Sequence, residues 1–274
     1  MGVNIFILIS GYYLVASKKF KFSKAIKLWL QIFIFALVLF LIFDRSVFNA
    51  STVVTLFTPI GHYVWWFLTV YIIMLLLYPF INKLIYKLSK KQYLLLIIIM
   101  SFIWTIYPSV LNISFEWSNV IWFIYLYLIA GFIRLYCNKI SFKPWLGILV
   151  FVICYLIFTV LECLINNISN KGYILNLITN FINIGNINNL ISLILCVILF
   201  FSFINFKPHY NKFINVLGAG VLGVYLLHDY TSVRSWLWID LFKNATYQSS
   251  AMHTLFNICY CVCICCLYNY INYI

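Results

Sequence analysis

Long apolar runs separated by short basic bursts constrain what this chain can fold into more than any other feature. A helix needs about 20 mostly apolar residues to cross roughly 30 Å of hydrocarbon. Nine stretches meet or approach that length, near 2–17, 28–43, 63–81, 92–108, 119–136, 144–164, 187–206, 213–229 and 251–272. The runs are continuous, not short and alternating, so they predict helices and not barrel strands. The expected fold class is all-α, a polytopic transmembrane helical bundle of about nine helices. Only 8% of the residues are charged, where a soluble domain carries about a quarter. Five acidic residues cannot solvate a globule of 274 residues. No stretch is polar enough to be a linker and no internal repeat breaks the pattern, so 1–274 reads as one integral membrane domain. The Asn-rich tract from Asn166 to Asn189 is short and interrupted by Ile and Leu.

The basic bursts give an orientation. If the first span runs from outside to inside, the inner loops hold Lys18, Lys19, Lys21, Lys24, Lys27, Lys83, Lys87, Lys90, Lys91, Arg134, Lys139, Lys143, Lys207 and Lys212, fourteen in all. Arg45, Lys171, Arg234 and Lys243 fall outside. Inner loops rich in Lys and Arg are the rule for membrane proteins. The C-terminus is then cytoplasmic. All five carboxylates (Asp44, Glu116, Glu162, Asp229 and Asp240) fall at or near the outer side. This dispersal also excludes a nucleic-acid role for the +13 net charge, since such binders gather basic residues on one solvated face. The first span is short, but it lacks a charged n-region and a clear small-residue cleavage site, so it is not a signal peptide. It predicts a chain starting inside a helix, with one more preceding helix needed to put both termini inside.

Five of the nine cysteines crowd the end, at Cys259, Cys261, Cys263, Cys265 and Cys266. On one helix that spacing spreads the thiols over several faces, whereas a tetrahedral metal site needs converging ligands. They read as small apolar residues facing lipid, and no metal is expected. Sequons at Asn49, Asn112, Asn167 and Asn244 all fall in outer loops, which chance explains in a chain so rich in Asn.

Polar groups within a membrane are costly and so are default functional candidates. The richest cluster is GVYLLHDY, Gly223–Tyr230, followed by Ser232, Arg234 and Asp240. His228, Asp229 and Arg234 together could hold a base, orient it and stabilise a developing anion. They could equally be the solvated end of a helix. Residues 231–243 look amphipathic, as suits a short helix lying along the outer interface. A second cluster, Lys18 to Lys27, could meet donor phosphates or simply set topology and touch anionic lipid. A third, GHYVWWFLTVY at Gly61–Tyr71, offers His62, Trp65 and Trp66 as an aromatic belt or as the lining of an outer cleft for a sugar. In the first span, Asn4, Ser10 and Gly11 mark helix–helix contact.

These segments, in this order, resemble the membrane acyltransferase-3 family. GVNIFILISGYYLV (Gly2–Val15) resembles the signature of its second helix, G-V-[DN]-[IL]-F-F-x-[IL]-S-G-[FY]. Lys24 and Lys27, spaced K-x-x-K, resemble its R-x-x-R at the inner face. WWFLTVYIIMLLLYPFINKLI (Trp65–Ile85) resembles its W-[FY]-[FL] helix with a following Pro. IYLYLIAGFIRLY (Ile124–Tyr136) and GVLGVYLLHDYTSVRSWLW (Gly220–Trp238) resemble the late helices of the branch from bacterial polysaccharide gene clusters. The resemblance implies about ten helices in a bacterial inner (plasma) membrane. It implies transfer of an acyl group, often acetyl, from cytoplasmic acyl-CoA to hydroxyls of a cell-surface or exported polysaccharide. Acetyl-CoA or another acyl-CoA is then the donor, without a metal, and the bilayer and a glycan acceptor are the partners.

Carried over, Lys24 and Lys27 face the donor phosphates, although Lys in place of Arg gives up bidentate grip. His228, Asp229 and Arg234 are the catalytic candidates, and Asn4, His62, Trp66 and Phe67 belong to the substrate conduit. The family's first helix carries a basic residue and a His regarded as catalytic, and 1–274 holds no counterpart of it. The resemblance therefore implies an N-terminally truncated or mis-started chain, impaired as written. Two rival functions are a transporter or flippase of polysaccharide precursors and a non-catalytic remnant of the acyltransferase fold. The first would be expected to show inverted repeats and broken helices, and the sequence shows neither.

Overall fold

In a computed structural model, the residues described are 1–17, 22–58, 65–111, 119–137, 143–168 and 172–243, and every regular element among them is helical. The all-α expectation is met. Twelve α-helices follow in order: α1 Gly2–Leu14, α2 Phe22–Leu39, α3 Ala50–Phe57, α4 Trp66–Lys87, α5 Lys90–Ser101, α6 Tyr107–Leu111, α7 Asn119–Phe132, α8 Pro144–Asn166, α9 Tyr173–Ile182, α10 Leu190–Ile204, α11 Lys212–Asp229 and α12 Thr231–Ser235. Wider π-type turns extend α2 to Asp44, join α5 to α6, extend α7 to Cys137 and carry α12 to Leu241.

Five helical stretches are long and apolar enough to cross a membrane: Phe22–Asp44, Trp66–Lys87, Lys90–Leu111, Asn119–Cys137 and Pro144–Asn166. A sixth counts if Lys212–Asp229 and Thr231–Leu241, bent by 79° from each other, form one broken span. Expected spans 2–17 and 187–206 are shorter apolar helices, α1 and α10. The expected ninth span, 251–272, lies outside the described residues.

Local chemistry fixes where these helices start. Ser89 and Gln92 form a reciprocal capping box at α5, each side chain bonding the other's backbone N–H. Pro144 sits in the first turn of α8, where its missing N–H is no loss. Asn189 and Asn211 cap α10 and α11 by accepting from Ile191 and Ile214. Two boundaries differ from the sequence reading. The third span does not stop near its proline: α4 runs eight residues past Pro79 to Lys87. A proline removes one backbone bond, and the flanking turns keep theirs. The Asn-rich tract also contains α9, which reads as connector in sequence because it has only 10 residues.

The helices gather into two compact units. The first holds α1, α4 from Ile73 onward, and α5 to α10. Within it α1 lies tightly on α7. A Cβ on Gly11 would sit 3.0 Å from the Ala130 Cβ and 3.2 Å from the Tyr127 backbone, so only glycine lets the helices approach this closely. The expectation that the small residues of the first span mark helix contact is met at this position. Asn180 donates to the Pro108 and Ser109 carbonyls at the end of α6. Asn189 donates to the Asn180 and Phe181 carbonyls near the end of α9. Helix-end carbonyls lack intrahelical partners, so these amides tie three helix ends together. By contrast, no residue in the most apolar window of α8 is fully buried: Phe151, Cys154 and Phe158 pack partly against Ile182, Ile184, Ile191 and Leu195, and the opposite face is open for lipid chains.

The second unit holds α2, α3, the start of α4 up to Ile72, α11 and α12. Here α11 runs along α2, with Gly223 opposite the Phe35 ring. The bend between α11 and α12 falls at Tyr230, beside the π-type end of α2.

Candidate functional site

The bend in the second unit brings Asp44, Tyr230, Ser232, His228, Asp229 and Arg234 into one neighbourhood. The Trp65 indole N–H donates to the Leu226 carbonyl at 3.1 Å, taking up an acceptor in the last turn of α11. Its ring lies 5.9 Å from that of Tyr230. Phe67 stacks on Tyr71 at 6.0 Å and meets Tyr225 edge-on at 5.6 Å, and Tyr225 in turn meets His228 edge-on at 5.8 Å. The start of α4 and the end of α11, separate clusters in the sequence, thus form one aromatic wall.

His228 turns back on its own helix, with Nδ1 2.7 Å from the Val224 carbonyl oxygen. A carbonyl can only accept, so in the neutral ring Nδ1 carries the proton and Nε2 keeps the lone pair. The second nitrogen is therefore the basic atom of this site. Asp229 and Arg234 are brought together across the bend, Oδ1 to guanidinium nitrogen at 3.5 Å. Arg234 is about half exposed and Asp229 is mostly covered. Arg234 thus keeps several N–H donors for another partner.

Asp44 completes the cluster. Its two oxygens accept from the Tyr230 hydroxyl at 2.6 Å and the Ser232 hydroxyl at 2.7 Å. In the sequence Asp44 registers only as one of five carboxylates, and Tyr225 only as a letter in GVYLLHDY. The available signal was an acid at the end of an apolar run, which is costly without a partner.

The remaining candidates lie elsewhere. Lys24 and Lys27 are exposed near the start of α2, one turn apart on one face, and pair with no described carboxylate. Trp66 is partly buried, its ring edge-on to Phe67 at 6.2 Å. His62 lies outside the described residues. Asn4 is in the first unit and fully buried: its amide donates to the Ile187 carbonyl at 2.6 Å and its oxygen accepts from the Trp122 indole at 3.0 Å. The first unit also has an open groove of about 760 Å³ beside the end of α4, lined by Ser17, Tyr78, Asn82, Lys83, Tyr86 and Lys87 among others. Among the described residues no group of three His, Cys, Asp or Glu could hold a metal ion.

The family profile described as an acyltransferase domain, Acyl_transf_3, matches residues 1–270. The chain belongs to the acyltransferase-3 family. The match spans both units. It makes the protein an acyltransferase in the general sense, and with the apolar helices above it makes the chain a multi-pass membrane protein. No curated protein and no solved structure matches the chain. The bend thus brings together an imidazole acceptor nitrogen, a half-exposed guanidinium and aromatic faces.

Proposed function

We propose that this protein is a membrane-bound O-acyltransferase that moves an acyl group, most simply acetyl, from a cytoplasmic acyl-CoA to hydroxyls of a cell-surface or exported polysaccharide. The observation that carries the reading is the 2.7 Å contact of His228 Nδ1 with the Val224 carbonyl, which makes Nε2 the acceptor nitrogen of the neutral ring, within an acyltransferase-family chain. In the proposed reaction Nε2 takes the proton from a glycan hydroxyl as the oxygen attacks the thioester carbonyl. The tetrahedral oxyanion draws on the donors of Arg234, whose orientation Asp229 holds. Collapse expels the thiolate, which takes the proton back from the imidazolium, leaving an O-acyl ester and free CoA. Aromatic rings such as Trp66 and Phe67 suit the flat faces of a sugar. Lys24 and Lys27, exposed and without a described carboxylate partner, suit the donor phosphates. The basic inner loops support a cytoplasmic donor side.

The test is His228→Ala beside His228→Gln in the full gene product. Loss of a general base predicts a fall in kcat on the order of 10²–10⁴-fold with helix content unchanged. Full activity in His228→Ala would return the residue to an ordinary helix end.

A further inference from the structure

Asp44 stands out because it is a carboxylate closing a largely apolar span, and the reaction above gives it no task. Its described partners are two hydroxyls and no cation. Those hydroxyls belong to Tyr230, at the bend, and Ser232, two residues on. His228 lies two residues before the first and Arg234 two after the second. The regular part of α2 ends at Leu39, and the wider π-type turns from Phe40 to Asp44 re-aim the chain so that the carboxylate meets the bend. Hydroxyl-to-carboxylate bonds of 2.6–2.7 Å are charge-assisted and strong.

We propose that Asp44 is a positioning residue for acyl transfer: it clamps the α11–α12 bend through Tyr230 and Ser232 and so fixes the register of His228 against Arg234. This rests on the proposed role of His228. The carboxylate touches neither donor nor acceptor. It sets the 79° break at which the two arms of the site meet, and the Asp229–Arg234 pair closes over a geometry that Asp44 holds.

The experiment uses the full gene product in lipid nanodiscs, with acetyl transfer and amide hydrogen exchange measured on the same samples. Asp44→Ala is expected to lower kcat by about 10–100-fold, the scale of a misplacement near 1 Å, while the donor KM stays unchanged. Asp44→Asn recovers part of the rate, since its amide oxygen still accepts from one hydroxyl. The Tyr230→Phe, Ser232→Ala double variant falls to the level of Asp44→Ala, and adding Asp44→Ala lowers it no further. Exchange rises at residues 230–235 in Asp44→Ala and is unchanged in α10, which reports an intact fold. Losses that multiply between the hydroxyl variants and Asp44→Ala, or full activity in Asp44→Ala despite faster exchange, would overturn the positioning role. Unchanged exchange at the bend would overturn the clamp itself. If the unaltered protein transfers no acyl group, the His228 reading fails separately, and exchange alone decides whether the clamp exists.

Discussion

Most buried side-chain amides and indoles described here serve carbonyls in helix ends and connectors. Asn82 donates to the Leu14 and Val15 carbonyls at the end of α1, and its oxygen accepts from the Tyr127 hydroxyl. Tyr86 reaches the same Val15 carbonyl. Trp65 does the corresponding job for Leu226. Hydrocarbon offers no water to replace a lost partner, so each of these bonds guards against an orphaned backbone group. Trp65→Phe keeps an aromatic ring but removes the donor and, in this buried side chain, the pyrrole half of the indole. It should destabilise the protein by about 1–2 kcal/mol, read as a lower Tm in detergent; an unchanged Tm would show that Leu226 finds another donor. The sequence makes His228, Asp229 and Arg234 conspicuous because charge is rare in it. It hides Asp44 and Tyr225, because their meaning comes from partners far along the chain, Asp44 lying nearly two hundred residues before Tyr230 and Ser232.

At the scale of elements, close approach and interruption do the shaping. Tyr93, fully buried in α5, crosses over Gly131 to donate to the Leu128 carbonyl of α7 at 2.6 Å. A Cβ on Gly131 would stand 2.6 Å from the Tyr93 hydroxyl oxygen and 3.3 Å from Val15. Gly131→Ala must therefore displace the tyrosine and break the bond. Overpacking of this kind costs about 1–3 kcal/mol, and Tyr93→Phe in the Gly131→Ala background should recover part of it in a thermal-unfolding series. Additive losses in the pair would contradict the steric account. The long spans were legible from apolar length alone, α8 most plainly. The end of α4 was placed short, at 81 instead of Lys87, because the apolar run gives way to Asn82 and Lys83 while the helix continues past Pro79. The tract from Asn166 to Asn189 misled for a different reason. Its asparagines look like loop, yet Asn180 and Asn189 are the ties that let a ten-residue helix fit between α8 and α10.

The whole molecule joins a membrane-embedded helical chain to acyl chemistry. Its apolar helices leave wide exposed faces suited to a lipid environment, and the acyltransferase-3 profile extends across both compact units. The charge asymmetry of the loops predicts that the α4–α5 turn, with Lys83, Lys87, Lys90 and Lys91, faces the cytoplasm, and hence that the donor arrives from that side. The most direct measurement supplies radiolabelled acetyl-CoA to sealed membrane vesicles bearing the full gene product and its host glycans. We predict alkali-labile label in the glycan when the cytoplasmic face is presented to the donor, and none from vesicles of the opposite orientation or lacking the protein. Glycan without ester-linked label in every orientation, despite verified protein and acceptor, would contradict the account.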